Sequence, residues 1–571
     1  MVGEYAENVL EGDPKGAIAL IQSDPEVKRT FCRGYLQVLK IGMYMFCSFT
    51  ISLAALVSSI LLAKMPRDDL DEVDLLASIT NTPTYFNTFL FIAAAATLGA
   101  IASANNLQGQ YRKAVKDREP EERLRAIEEG ISYTNRTAML IASGVSPFPA
   151  IFYLFSDQIL VGSGQSNTSA EYSYQSLWPW SIGVFFVLAR IAAEISLNAA
   201  RKQRDLTLID VGMFILSCVI AYILSFGVIW EPMGIVCIPW TFSIEAILTC
   251  SILSLYMWKK GDLKRFKFFK CCGYDRRNIE GIAKTIGYQS ITSIMNISAE
   301  VFMGYIISEL SGVIDTESQA ALSYSFQLYN VALLTTSALS IAGGLEVGQA
   351  AGEGDKTYTR KLVLAAILAN LTVSALLIIP TLIYPRWIID VFSSLSTSSN
   401  ATESTYNYTT IEGGLVNNNI EEKNAVYSRI MCFIIASEAC RYTFVYIDKS
   451  LAHPWSSFGF STTSLLVGLA LAVGLGLGTD LGVTGLLIGW LTGTFVSNGL
   501  LMPHTIKISK DSELELVNQR MNDSPCQEIK RVLSLCTCLR SRPSIRKART
   551  ISTHSQISVN PLTEDVDAPR T

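Results

Sequence analysis

Carboxylates interrupt long apolar runs of this sequence, and Glu194, Glu245, Glu300 and Glu438 are singled out among them. An acid is costly in a hydrocarbon layer. One found there faces the interior of a helix bundle and marks an ion or proton path. Its chemistry is exchange, because burial favours the protonated form and a nearby cation the ionised form. Glu300 lies between Asn296-Ile297-Ser298-Ala299 and Val301-Phe302-Met303-Gly304, with no basic residue within one helical turn. Its expected resting state is protonated or cation-bound, and the alternative is a hydrogen-bonded structural acid. Glu438 precedes Arg441 by three residues and Glu194 follows Arg190 by four, spacings that share a helix face. A coupling role and a plain buried ion pair both fit these two. Glu245 has no neighbouring base.

Tyr288, Gln289, Asn296 and Tyr305 surround Glu300 in the sequence and are candidates to line a cavity. Helix packing alone also accounts for residues of these types. Trp240 reads as packing, and Gly343, Gly344 and Gly348 as sites of close helix approach. The three histidines, His453, His504 and His554, are scattered, so no metal site is expected. There is no Walker-type phosphate loop, which argues against ATP-driven pumping. No soluble-enzyme signature stands out, so neither catalytic residues nor a cofactor are expected. The coupling ion would be H+, alternatively Na+. The expected partners are a small-molecule substrate and the bilayer, with no nucleic acid, and the expected state is a monomer.

The apolar runs are what must position these acids. The chain has 571 residues, 49% hydrophobic and only 17% charged, with a mean hydropathy of +0.31. Soluble domains carry about 25% charged residues. Several runs exceed the length that crosses a bilayer as a helix, and none alternates as a barrel strand does. Spans are predicted at 37–64, 85–108, 137–161, 177–200, 206–230 and 235–258, then at 281–310, 319–350, 362–384, 428–448, 457–478 and 482–504. With the N-terminus inside, the inner loops 109–136, 201–204, 259–280, 352–361 and 449–456 hold 22 Lys or Arg, against Arg67, Arg386 and Lys423 outside. Both termini are therefore expected in the cytoplasm. Glu4, Glu7, Glu11 and Asp13 are unlike a signal peptide, so the first span is read as a signal anchor. The expected setting is a multi-pass protein of the plasma membrane. No cysteine falls in an outer loop, so no disulfide framework is expected. Sequons at Asn167, Asn400 and Asn407 all fall in outer loops, as glycosylation candidates or as chance matches.

The organisation that follows is a cytoplasmic segment 1–36, a six-helix lobe 37–258, a basic linker 259–280, a second six-helix lobe 281–504 and a disordered tail 505–571. Cys526, Cys536 and Cys538 in that tail lie near basic residues, so palmitoylation is an option beside an idle tail. Ile191-Ala192-Ala193-Glu194 in the fourth span matches Ile435-Ala436-Ser437-Glu438 in the tenth, and Gly109-Gln110 after the second matches Gly348-Gln349 in the eighth. Both halves enter from the same side, so the repeats are parallel. A substrate site would lie between the lobes near the midplane.

Residues 300–355 add a resemblance. Glu300, then Ser311-Gly312, Ala320-Ala321 and Val347-Gly348-Gln349 through Gly352-Glu353-Gly354-Asp355 resemble the multidrug and toxic compound extrusion (MATE) family, especially its eukaryotic members. Ser437-Glu438-Ala439-Cys440 and Leu481-Gly482-Val483-Thr484-Gly485-Leu486 resemble later motifs of the same family. The resemblance is good over roughly 285–500 and poor over 1–280. It implies two six-helix lobes in a V around a central cavity, and export of cationic or amphiphilic compounds against inward proton or sodium flow. By position, Glu300 and Glu438 match family acids. Tyr305 and Gln327 stand where two further acids are usual, Val301 and Phe302 where tryptophans are usual, and 37–64 holds neither Pro nor Asp. Two other readings remain: a lipid-linked saccharide flippase of the same broad superfamily, and a scaffold or receptor that has lost transport. A flippase is expected to have a cationic cavity, and acids dominate these spans.

Overall fold

The computed structural model describes residues 29–48, 89–162, 167–226, 236–261, 276–387 and 413–509, and the regular structure among them is helical. The helices are α1 (Phe31–Ser48), α2 (Ile101–Lys116), α3 (Glu121–Val145), α4 (Pro147–Leu154), α5 (Ser156–Gly162), α6 (Asn167–Leu177), α7 (Trp180–Ala199), α8 (Gln203–Phe226), α9 (Cys237–Lys259), α10 (Arg276–Ile314), α11 (Thr316–Gly352), α12 (Lys356–Ile383), α13 (Gly413–Ser450), α14 (Pro454–Gly478) and α15 (Gly482–Ile508). Eleven helical stretches among the described residues are long and apolar enough to cross a membrane. The remaining expected span, 37–64, begins in α1 and continues into residues outside the described set. So do most of the linker 259–280, the tail from 510, and the sequons at Asn400 and Asn407. Asn167 is exposed at the start of α6.

Several predicted loops are largely helix. The inner loop 109–136 shrinks to residues 117–120, because Phe89–Lys116 and Glu121–Leu154 both run on through charged residues. Hydropathy marks where lipid ends, but Lys, Arg and Glu are good helix formers and carry a helix on into water. The stretch 311–318 likewise narrows to the single non-helical Asp315, whose carboxylate accepts from the Ser318 backbone N–H at 3.2 Å.

The turns at the expected inner end share one device. Arg118, Arg201, Gly354 and Ala452 all adopt positive φ directly after a helix. Following residues bond back across each turn, as in Lys202 N to Leu197 O at 2.9 Å and Asp355 N to Ala350 O at 3.1 Å. These are Schellman closures, which satisfy carbonyls that the helix end leaves open. They close the second and fourth spans and, in the other half, the eighth and tenth, while Gly261 takes the same positive φ after the sixth span with no counterpart after the twelfth. The turns therefore carry the same internal repeat as the short sequence matches.

Two apolar cores correspond to the two halves. One gathers residues from Leu90 to Ile286, among them Leu188, Leu197 and Leu253. The other gathers residues from Met303 to Trp490, among them Leu322, Met431 and Leu486. A third cluster joins them, with Ile41, Ile101 and Ile195 meeting Ala338, Leu345 and Tyr446. There α2 and α11 approach at backbone distance. A Cβ on Gly109 would stand 2.3 Å from the Gln349 carbonyl oxygen, and one on Gly352 2.3 Å from the Asn106 carbonyl oxygen. Side chains bridge the same seam. Arg112 and Arg201 both donate to Gln349 Oε1, at 2.8 and 3.1 Å. Gln349 Nε2 donates to the Ala199 carbonyl at 3.1 Å. Arg201 also pairs at 3.2 Å with the buried Glu346, which accepts from Gln37 at 2.7 Å. The glycines read as packing sites do pack closely, Gly343 against Ala366 and Gly344 against Tyr446 and Ser450.

Candidate functional site

α10 and α13 run antiparallel in the second half and present polar faces to each other. On α10, Gln289, Ser293, Asn296 and Glu300 recur at helical spacing, so they form one stripe. At one level Lys449 donates to Ser293 Oγ at 3.0 Å, and Gln289 Nε2 donates to the Lys449 carbonyl at 3.3 Å. Two turns further along α10, Glu300 meets Arg441 and Tyr442.

Arg441 is the hub of that meeting. Its Nη2 lies 2.5 Å from Glu300 Oε2 and its Nε 2.5 Å from Glu438 Oε2. Its Nη1 donates to Ser461 Oγ on α14 at 2.8 Å. The Tyr442 hydroxyl donates to Glu300 Oε1, and the Tyr329 hydroxyl from α11 reaches the same oxygen at 3.2 Å. Trp490 of α15 closes the group against Tyr329, with ring centroids 5.0 Å apart. Five helices thus contribute to this cluster, three of them with side chains on the guanidinium itself. The residues are sealed: Glu300 is 5% exposed, and Glu438 and Arg441 are 1% each. Removing Arg441 would strand two buried carboxylates without a counter-charge, a loss of about 3–5 kcal/mol, whereas neutralising one acid leaves a matched pair. With both acids ionised the trio carries one more negative than positive charge, which leaves room for one proton or one cation.

No basic residue lies within one helical turn of Glu300, and the base beside it, Arg441, comes from 141 residues along the chain. The pairing of Glu438 with Arg441 and that of Glu194 with Arg190 are both present. Lys449, counted with an inner loop, is instead buried in the last turn of α13.

The other candidates are distributed as follows. Asn296 is buried and its Oδ1 accepts from Thr462 at 3.4 Å. Tyr288 is half-buried and meets Trp455 edge-on at 6.1 Å. Tyr305 is half-buried on α10. The Gln327 side chain lies outside the described residues. Glu194 and Glu245 belong to the first half. There Arg190 pairs with Glu194 at 2.5 Å and with Asp210 at 2.8 Å, while Ser217 donates to Glu245 at 2.6 Å. Trp240 packs perpendicular to Trp178 at 5.5 Å. Each half therefore holds an arginine between two carboxylates, on the equivalent fourth and tenth spans. Sequence reading missed Asp210, Tyr329, Tyr442, Ser461 and Glu346. Asp210 and Glu346 were legible as charges within apolar runs. The hydroxyls carried no such signal. Among the described residues, no group of three or more His, Cys, Asp or Glu side chains is placed to hold a metal ion.

The same arrangement of helices occurs in solved transporters. The eukaryotic MATE transporter AtDTX14 superposes with a TM-score of 0.68 at 16% identity, covering 86% of this chain and 99% of its own. The chain has the MATE fold. An outward-facing multidrug-resistance MATE transporter of the MOP superfamily matches at TM-score 0.64 and 13% identity, covering 88% and 98%. A MOP superfamily transporter from Pyrococcus furiosus, described as having a binding pocket of reversed polarity, matches at 0.65 and 12%, covering 85% and 97%. No protein-family model matches the sequence, and no curated protein does. The MATE likeness extends over the first half too, where the sequence alone resembled the family poorly.

Proposed function

We propose that this MATE-fold membrane protein is a secondary antiporter that exports organic cations or other amphiphilic small molecules in exchange for protons, by alternating access. The observation that carries this reading is the shared guanidinium: two acids from different helices, Glu300 and Glu438, bind one tethered cation, Arg441, out of contact with water. A proton arriving on Glu300 cancels its attraction for Arg441 and for any cationic cargo. Loss of that proton restores both. Cargo and proton then compete for the same carboxylate, which is the requirement for exchange. A ligand shifts the two facing states only through its different affinity for each. The reading draws further support from the fold, whose solved examples include multidrug-resistance transporters.

The test is Glu300→Gln in proteoliposomes with an imposed pH gradient and a panel of organic cations. Exchange is expected to fall to background while folded protein levels stay normal. Unchanged exchange removes Glu300 from the mechanism. Substituting a sodium gradient for the pH gradient distinguishes the two coupling ions.

A further inference from the structure

The polar stripe that carries Glu300 reaches a second cation toward the expected inner end. Lys449, in the last turn of α13, is 7% exposed. Its ammonium donates to the neutral Ser293 Oγ at 3.0 Å and lies 5.4 Å from the centroid of the Tyr446 ring. Among the described residues no carboxylate pairs with it. Asp448, next in sequence, turns toward α15, where its Oδ1 accepts from Thr505 at 2.7 Å. Arg441, two turns away on α13, has the same sign. A buried charge is ordinarily paired. Arg190 and Arg441 obey that rule with two carboxylates each, and Lys449 departs from it. The amides beside it are incompletely bonded as well. Among the described residues Gln289 Oε1 and Asn296 Nδ2 have no hydrogen-bond partner, and both side chains are buried.

Two antiparallel helices fix the spacing of the charges. Ser293 precedes Glu300 by seven residues on α10, and Tyr442 precedes Lys449 by seven on α13. The Lys449 level therefore lies about 10 Å from the Glu300 level, at about 1.5 Å per residue. The halves of the molecule meet at that level. Ser290 packs so closely on Gly99 that a Cβ there would stand 2.3 Å from Ser290 Oγ, and Tyr446 belongs to the apolar cluster that joins the halves. Parting the halves on this side would uncover Lys449 toward the cytoplasm, where the charge count puts this end and where an exporter loads. We propose that Lys449 holds a carboxylate of the cargo, so that the exported molecules are zwitterions whose cationic end lies about 10 Å away at Glu300. This inference rests on the antiport reading above. The lysine supplies a charge-assisted hydrogen bond to the acid. Asn296 Nδ2, between the two levels, supplies a donor to polar groups along the molecule.

The test uses the full chain in non-ionic detergent and two dyes with the same cationic ring system, rhodamine 110 with a free carboxylate and rhodamine 123 with its methyl ester. Affinities are read by fluorescence polarisation in gluconate buffer. The free acid is expected to bind about tenfold more tightly than the ester, the effect of one charge-assisted hydrogen bond. Lys449→Gln should remove that preference by weakening the free acid, and Lys449→Arg should keep it. Equal affinities in the unmodified protein, or a preference that survives Lys449→Gln, would overturn the proposal. So would loss of the preference when chloride replaces gluconate, because Lys449 would then serve a free anion. Exchange of both dyes against a pH gradient in proteoliposomes is read separately. Its absence counts against the antiport reading, whereas exchange of both without the binding preference counts against the role of Lys449 alone.

Discussion

At the scale of single residues, Arg441 decides how the buried acids behave. Replacing it with Met leaves two carboxylates in an apolar interior with no counter-charge. Arg441→Met is therefore expected to lose about 3–5 kcal/mol of stability, read as a lower midpoint of thermal unfolding in detergent. Adding Glu300→Gln and Glu438→Gln to that variant should recover most of the loss, because no ion is then stranded. No recovery would mean that Arg441 acts by packing alone. The sequence made Glu438 and Arg441 legible as a pair, since three residues on a helix is a fixed geometry. It showed Glu300 as an isolated acid because the fold alone brings α10 beside α13. For the same reason the hydroxyls of Tyr329, Tyr442 and Ser461 stayed hidden: such residues fill helix interfaces everywhere, and only their distances single these out.

At the scale of elements, the contact between α2 and α11 joins the two halves at backbone distance. Its glycines admit the partner backbone so closely that no methyl group fits. Gly109→Ala should wedge the seam apart and cost about 1–3 kcal/mol in the closed arrangement. Spin-label distances between Gln110→Cys and Lys356→Cys are expected to shift toward longer values, and an unchanged distribution would show that the seam absorbs the methyl group. Arg201→Gln removes the cation facing Glu346 and should shift the same distribution in the same direction. The existence of these helices was legible from apolar runs and their order from alternating charge. Their ends were not, because α3 and α13 continue into sequence that water tolerates. The Gly348-Gln349 match pointed to this junction. It did not show that Gln349 would be held by Arg112 and Arg201 together.

At the scale of the whole molecule, the expected orientation rests on 22 inner against three outer basic residues. A cysteine placed in the 259–280 linker should react with an impermeant thiol reagent only after cells are opened. Labelling from outside intact cells would invert the topology. The two-lobed plan was legible from short repeats, and the Schellman turns after the second, fourth, eighth and tenth spans restate it in backbone geometry. One helix links the interior to the surroundings. α13 holds Glu438 and Arg441 on one side, while Ser437, Cys440 and Phe444 floor an apolar groove on the outer surface on another. In the proposed exchange, a turn of this helix large enough to part Arg441 from Glu300 would sweep Phe433 and Phe444 past the surrounding lipid. On the proposed antiport reading such a stroke would be mechanically loaded by the bilayer, so the stiffness and thickness of the host membrane would enter its rate law.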